Sequence, residues 1–194
     1  MDGNDARTDA ELIAAANAGD VAAFEAIYRR YRDWAVRLAW RFTGNEDDAL
    51  DVLQETFAYL VRKIQAGQAT RRLGLPLPGG FRLTSSMTTF LYPAVKNLST
   101  VARRKSGRFH SDDDALAAFP AKDDPPAADS DLAAALASLP EGQREVLLMR
   151  FVDEMELSEI AEALAIPLGT VKSRLHNALD ELRQNPRVKR YFRG

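Results

Sequence analysis

Apolar residues recur along most of this chain at intervals of three and four, the spacing that lines one face of an α-helix. The clearest run is Phe24, Ile27, Tyr31, Trp34, Leu38 and Phe42. After Gly44-Asn45 a second run follows: Ala49, Val52, Leu53, Phe57, Leu60 and Ile64. Upstream of both, Thr8-Asp9-Ala10-Glu11 has the form of a capping box and predicts a short helix to about Ala18. Asp20 and Asn45 are placed to cap the two helices that begin after them. A further run, Phe90, Leu91, Ala94, Leu98 and Val101, predicts a helix from about Ser86 to Lys105. Pro93 lies inside it, removes one backbone donor and predicts either a kink or a late start.

Two stretches break the periodicity. From Gln65 to Ser85, "QAGQATRRLGLPLPGGFRLTS" carries four glycines and two prolines and predicts a long loop, with room for a short hairpin. From Ser111, "SDDDALAAFPAKDDPPAADSD" sets seven Asp against one Lys among alanines and prolines. Such a segment cannot bury a core and predicts a flexible acidic linker. Helical pattern returns at Leu132, and Pro140 is placed at the first position of a helix running to about Phe151. Two short helices follow, and Asn185-Pro186 stops the last one. The expected fold is therefore all-α. It has two small helical domains, residues 8–108 and 132–185, joined by linker 109–131 and followed by a basic tail, 186–194.

Composition narrows the class only a little. The 194 residues are 46% hydrophobic and 28% charged, ordinary for a globular chain. The net charge of −2 hides a segregation: bases crowd Lys96–Arg108 and the C-terminal tail, while acids crowd Asp112–Asp131. A nucleic-acid binder needs local basic patches rather than a basic total, so this balance does not exclude one. The absence of cysteine removes disulfides and thiolate metal sites and fits a reducing cytoplasm. The first residues lack the profile of a signal peptide, and no run approaches the roughly 18 apolar residues of a membrane span. No cofactor is expected, and no nucleophile–base pair or phosphate loop points to an enzyme.

The most specific local pattern is "LSEIAEALAIPLGTVKSRL", Leu157 to Leu175. Ile160, Ala161 and Leu164 line the inside of one short helix, and Val171, Leu175, Leu179 and Leu182 the inside of the next. Between them, Pro167 suits a helix start, and Gly169 lets a phosphate approach the positive helix N-terminus. This is the register of a helix-turn-helix, whose second helix enters the major groove. The exposed residues of that helix are then Thr170, Lys172, Ser173, His176 and Asn177. By spacing alone, an ordinary helical hairpin with a solvated face fits too. Ala165 stands where the turn favours glycine, and a left-handed alanine costs roughly 1–2 kcal/mol. His176 and His110 are the only histidines, and no fixed acidic partner is expected beside either.

The N-terminal half changes the picture. "FEAIYRRYRDWAVRLAWRFTGNEDDALDVLQETFAYLVRKI", Phe24 to Ile64, resembles region 2 of bacterial sigma factors of the extracytoplasmic-function (ECF) group. "SLPEGQREVLLMRFVDEMELSEIAEALAIPLGTVKSRLHNALDELR", Ser138 to Arg183, resembles region 4 of the same group. The two occur in the family's order and spacing, and "DVLQETF" and "GTVKSRLHNAL" are the specific motifs within them.

The resemblance implies a set of roles. Asp48, Asp51, Gln54 and Glu55 would face the β′ clamp helices of core RNA polymerase, while Phe57 packs inward. "MTTFLYPAVKNLSTVARRK" would meet the −10 promoter element, with Phe90 where the family more often has tryptophan and Asn97 beside an unstacked base. Lys96, Arg103, Arg104, Lys105 and Arg108 would hold phosphates. In region 4, Lys172, Ser173, His176 and Asn177 would contact −35 bases and Gly169, Thr170 and Arg174 the backbone, with the β flap as its polymerase partner. Relatives are held off by anti-sigma factors, so one is expected here. Pro93 and the extended loop 65–85 depart from the family, and Arg71, Arg72 and Arg82 in that loop suggest an altered −10 preference. The competing reading is a free-standing helix-turn-helix regulator that binds an operator without polymerase.

Overall fold

A computed structural model describes residues 5–72, 80–105 and 127–189. Arg108, His110, residues 109–126 of the expected linker, residues 73–79 of the expected loop and the last five tail residues lie outside them. The described residues form eight helices and no strand: α1 Asp9–Asn17, α2 Val21–Thr43, α3 Glu46–Arg72, α4 Met87–Lys105, α5 Ala127–Ala137, α6 Glu141–Phe151, α7 Leu157–Leu164 and α8 Leu168–Gln184.

The starts of the first three helices follow from their caps. Thr8 and Glu11 form the reciprocal capping box, with the Thr8 amide donating to Glu11 at 2.7 Å and the Glu11 amide to Thr8 at 3.3 Å. The Asp20 carboxylate accepts from the Ala23 amide at 3.1 Å, and the Asn45 carboxamide from Asp48 at 2.9 Å. Gly44, at φ +64°, ends α2 in the left-handed turn that a Cβ would strain. α1 is tied across to α2 through Asp9, which accepts from Arg30 at 2.5 Å and from the Tyr31 hydroxyl.

α2 is the hub of the first half, packed by α1, α3 and α4. Its predicted stripe faces inward, with Ile27, Trp34, Leu38 and Phe42 buried and Phe24 and Tyr31 partly so. Every member of the α3 stripe is buried, and Phe57 meets the Tyr28 ring edge-on at 4.9 Å between centroids. Three expectations need correction. α3 does not stop at Ile64 but runs to Arg72, carrying Gly67 at a local cost of about 1 kcal/mol among good helix formers. α4 starts at Met87, six residues ahead of Pro93, so the proline does not delay it. The buried face of α4 is also rotated: Met87, Leu91, Tyr92, Val95 and Ser99 are buried, while Val101 is 46% exposed. α7 also packs on α4, and the Glu145 side chain of α6 meets the buried Tyr92.

In the second half α5 begins at Ala127, inside the span expected to be linker, and Pro140 is the N-cap of α6 rather than its first residue. α6, α7 and α8 pack on one another. A small separate core of Ala135, Leu136, Leu139, Leu147, Ala178, Leu182 and Val188 closes α5 and α6 over α8. The α7–α8 turn passes through Ala165 at φ +52° and ψ +43°, with the Ile166 amide donating back to Ala161 at 3.0 Å. Ala165 thus carries the left-handed strain foreseen for it, on an exposed position. Ala165→Gly should relieve about 1–2 kcal/mol of strain against about 0.5–1 kcal/mol of added chain entropy. The expected net gain is about 0.5–1 kcal/mol, visible as a rise of a few degrees in Tm by thermal unfolding.

Candidate polymerase and promoter interfaces

α3 and α4 run beside each other and leave an open groove of about 700 Å³ between them. One wall carries Asp48, Asp51, Val52, Gln54 and Glu55; the other carries Leu98, Val101, Ala102 and Lys105. Asp51, Gln54 and Glu55 are exposed and Asp48 half-buried, so the four expected polymerase contacts share one surface. That surface is acidic above an apolar floor, a form suited to a basic helical partner. Lys105, expected to hold DNA phosphate, lies on the opposite wall of this groove. The acids of the first α3 turn and the bases of the last α4 turn also lie at the helix ends where each sign is favoured.

Phe90 is half-buried and belongs to a row of three aromatics. Its ring stacks on Tyr59 at 5.9 Å, 16° from parallel, and meets Phe81 at 4.7 Å. Lys63 caps the row, 5.3 Å from the Tyr59 centroid. Phe81 comes from the segment that rejoins α4, and Asn17 holds it in place as a backbone mimic. The Asn17 carboxamide donates to the Phe81 carbonyl at 2.7 Å and accepts from its amide at 3.2 Å. Gly80 makes this approach possible: its φ is +57°, and a Cβ there would fall 2.8 Å from Asn17 Cγ. Tyr59 and Phe81 escaped the sequence reading, because only the fold of the segment entering α4 brings Phe81 to Phe90. Asn97 is exposed further along α4, with Arg103 half-buried and Arg104 exposed beyond it. Lys96 is engaged elsewhere: its Nζ lies 2.5 Å from the Glu145 carboxylate of α6.

On α8, Gly169, Lys172, Ser173, His176 and Asn177 are exposed, and Thr170 and Arg174 are half-buried. A Cβ on Gly169 would meet nothing within 4 Å, leaving the helix N-terminus open to a phosphate. The Ser173 hydroxyl donates to the Thr170 carbonyl at 3.0 Å. Arg174 lies over the start of α6, where a Cβ on Gly142 would come within 3.0 Å of its guanidinium. One expectation is overturned. His176 does have an acidic neighbour, Asp180, 3.2 Å from Nε2 one turn along, and Asp180 also pairs with Arg183 at 3.1 Å. All three side chains are exposed, so this is a surface charge cluster on the flank of the helix.

Sequence reading also missed the polar residues between the halves. Arg41 of α2 bonds Asp153 in the α6–α7 turn at 2.5 Å, with both side chains about 95% buried. Burial pushes the Asp153 carboxyl above its ordinary range, and the Arg41 guanidinium opposes that shift. Glu145, itself buried, accepts from the Tyr92 hydroxyl at 2.9 Å as well as from Lys96. Burial, reinforced by Glu145, keeps the Tyr92 phenol protonated well past its usual pKa. A signal for Arg41 was present, since it stands three residues after Leu38 and seven after Trp34, on the inward stripe.

The division into an α1–α4 half and an α5–α8 half is that of a chain with two sigma regions. Matches to known families agree: the family model for Sigma-70 region 2 covers residues 27–72, and that for Sigma-70, region 4 covers residues 135–184. The chain belongs to the ECF sigma factors of RNA polymerase. It is 33% identical to the ECF sigma factor SigE of Mycolicibacterium smegmatis over 176 residues, 85% of this chain and 63% of that protein. With SigW of Bacillus subtilis it shares 27% identity over 192 residues, 87% of this chain and 91% of that protein. Its fold resembles CnrH solved with the cytosolic domain of CnrY, at TM-score 0.61 and 23% identity over 89% of this chain and 93% of that one. It also resembles RpoE of Bartonella quintana solved with the anti-sigma factor NepR, at TM-score 0.55 and 21% identity over 85% and 97%. Among the described residues no helix is long and apolar enough to cross a membrane.

The Asn17 clamp should be separable from the packing of α1. Asn17→Ala removes two hydrogen bonds and is expected to cost about 1–3 kcal/mol in urea unfolding. Amide exchange at Phe81 should accelerate, while that of the α2 interior changes only with global stability.

Proposed function

We propose that this sigma factor works in the cytoplasm by carrying core RNA polymerase to two-part promoters and helping to open them. The observation that carries this reading is the union, in one chain, of the acidic α3–α4 groove and the exposed polar start of α8. Asp48, Asp51, Gln54 and Glu55 dock on the β′ clamp helices. Phe90 and Asn97, with Arg103, Arg104, Lys105 and Arg108 on the phosphates, engage the −10 element. Lys172, Ser173, His176 and Asn177 read the −35 element, with Gly169, Thr170 and Arg174 on the backbone and region 4 resting on the β flap. An anti-sigma factor holds the protein inactive between signals. The chain itself contributes recognition and strand separation; the bond-making chemistry belongs to the polymerase.

Energetics favours the joint reading over the free-standing regulator. A good base contact discriminates by about 1–3 kcal/mol, too little for one short helix to find a site alone. Two weak readers tied to polymerase gain through effective concentration. At the −10 element, an unstacked base costs a few kcal/mol to extract. Stacking on an aromatic returns about 1–3 kcal/mol per base, and the Tyr59–Phe90–Phe81 row provides such a surface.

Purified protein mixed with bacterial core polymerase should co-elute on a sizing column, and Asp51→Arg with Gln54→Ala should abolish that. Failure to bind core together with tight binding to duplex DNA alone would instead establish the free-standing regulator. Trimming Leu73–Gly80 should change −10 preference in a promoter library while core binding persists, because Phe81 loses its anchorage on Phe90. Unchanged promoter choice after trimming would remove the loop from −10 recognition.

A further inference from the structure

The two halves of the chain are packed together over a shared apolar core that also encloses buried charges. Between them, α7 packs on α4, and Val146, Met149, Met155 and Ile160 extend the core of the first half. Set into this contact are a buried guanidinium, two buried carboxylates and a buried phenol: Arg41 with Asp153, and Tyr92 with Lys96 on Glu145. Arg41 is incompletely satisfied there. Its Nη2 bonds Asp153, while Nε and Nη1 are buried with no hydrogen-bond partner among the described residues. Water would fill those sites if the halves parted. A contact of this kind is specific but not a permanent core, since buried polar groups with open valences favour separation.

Scale supplies the second argument. Elements named for positions −10 and −35 lie about 25 base pairs apart, roughly 85 Å along a duplex rising 3.4 Å per pair. A compact chain of 194 residues has a radius of gyration of about 16 Å and is roughly 40 Å across. The packed form therefore cannot hold both elements at once. The stretch from Lys105 to Ala127 can reach roughly 75 Å at full extension, so opening needs no break in α4 or α5. Lys96 adds a bias to this: its ammonium is held 2.5 Å from Glu145 in the packed form and is released for a phosphate when the halves part.

We propose that Arg41–Asp153 and Glu145 with Tyr92 and Lys96 form an internal latch that keeps region 4 docked on region 2 until polymerase and promoter draw the halves apart. The need to open rests on the reading that the halves grip separate promoter elements; the latch itself does not. Removing one member of a buried pair strands the other, whereas replacing both by apolar residues spares the contact. Asp153→Asn should thus open the chain, and the double change Arg41→Leu with Asp153→Leu should keep it closed.

The test uses the full chain, whose lack of cysteine allows a unique label pair at Arg29→Cys on α2 and Arg183→Cys on α8, both exposed. Pulsed electron spin distance measurement on the free protein should give one short, narrow distribution. Asp153→Asn should raise the ratio of long to short distances about 100-fold, and the double apolar variant should restore the short one. Glu145→Gln, at the second anchor, is the independent check should Asp153→Asn lose helicity by circular dichroism. Core polymerase with promoter DNA should shift the wild type to the long distance, with half-saturation several-fold lower for the opened variant. A broad, long distribution in the free wild type, or a short one unmoved by both single variants, would overturn the latch. A closed free chain that fails to bind core would keep the latch and sink the sigma reading; an open free chain that binds core would do the reverse.

Discussion

The burial of one face of α2 is the constraint on which the remaining structure depends. Ile27, Trp34, Leu38 and Phe42 lie on that face, and α1, α3 and α4 are each packed against it. At about 1.5–3 kcal/mol for each large side chain, these four alone contribute about 6–12 kcal/mol of gross burial. That commitment decides which residues are left outside. Once the α3 stripe from Ala49 to Ile64 turns toward α2, helical geometry sends Asp51, Gln54 and Glu55 outward together. The acidic groove is thus a by-product of core packing, and its shape needs no dedicated scaffold.

Much of this was legible in the chain. Helix starts at Thr8, Asp20 and Asn45, the stop at Gly44 and the inward positions of α3 are local matters of capping and period, and local chemistry settles them. Ala165 was legible for the same reason, because the helix-turn-helix register leaves one position that must turn left. What escaped depends on partners far away in the chain. α4 reads as a helix with one inner face, yet it is packed on two: α2 and α3 on one side, α7 and Glu145 on the other. Tyr92 is buried where Glu145 meets it and Val101 is left exposed, a rotation no single-helix pattern contains. Phe81 and Tyr59 escaped likewise, since a bond pair from Asn17, 64 residues away, fixes Phe81 against Phe90.

The polar contact between the halves is the part of the molecule where stability and function pull apart. A wholly apolar contact would hold region 4 down more firmly, because desolvating two charges often costs as much as their attraction returns. An ion pair instead makes docking dependent on register: Arg41 finds its one carboxylate only when the α6–α7 turn presents Asp153. That turn is itself strained, with Glu154 next to Asp153 at φ +55°, a conformation that costs a side-chain-bearing residue about 1–2 kcal/mol. The unfilled donors on Arg41 lie on the docked side of the balance, because water reaches them when the halves part.

Under the proposed latch, docking and promoter binding draw on the same lysine: Glu145 holds the Lys96 ammonium in the closed form, and a promoter phosphate would hold it in the open one. The groove acids and the α8 face remain exposed in the closed form, so each partner can make a first contact before the halves separate. Opening draws on the combined affinity of both contacts, since neither surface alone reaches across a promoter. A ligand shifts such an equilibrium only by its preference for one state. In the proposed mechanism the preference comes from geometry, because promoter elements about 85 Å apart would hold the two regions further apart than the latch allows. The weakness of the latch, a guanidinium with two idle donors, sets how little differential binding is needed to release it.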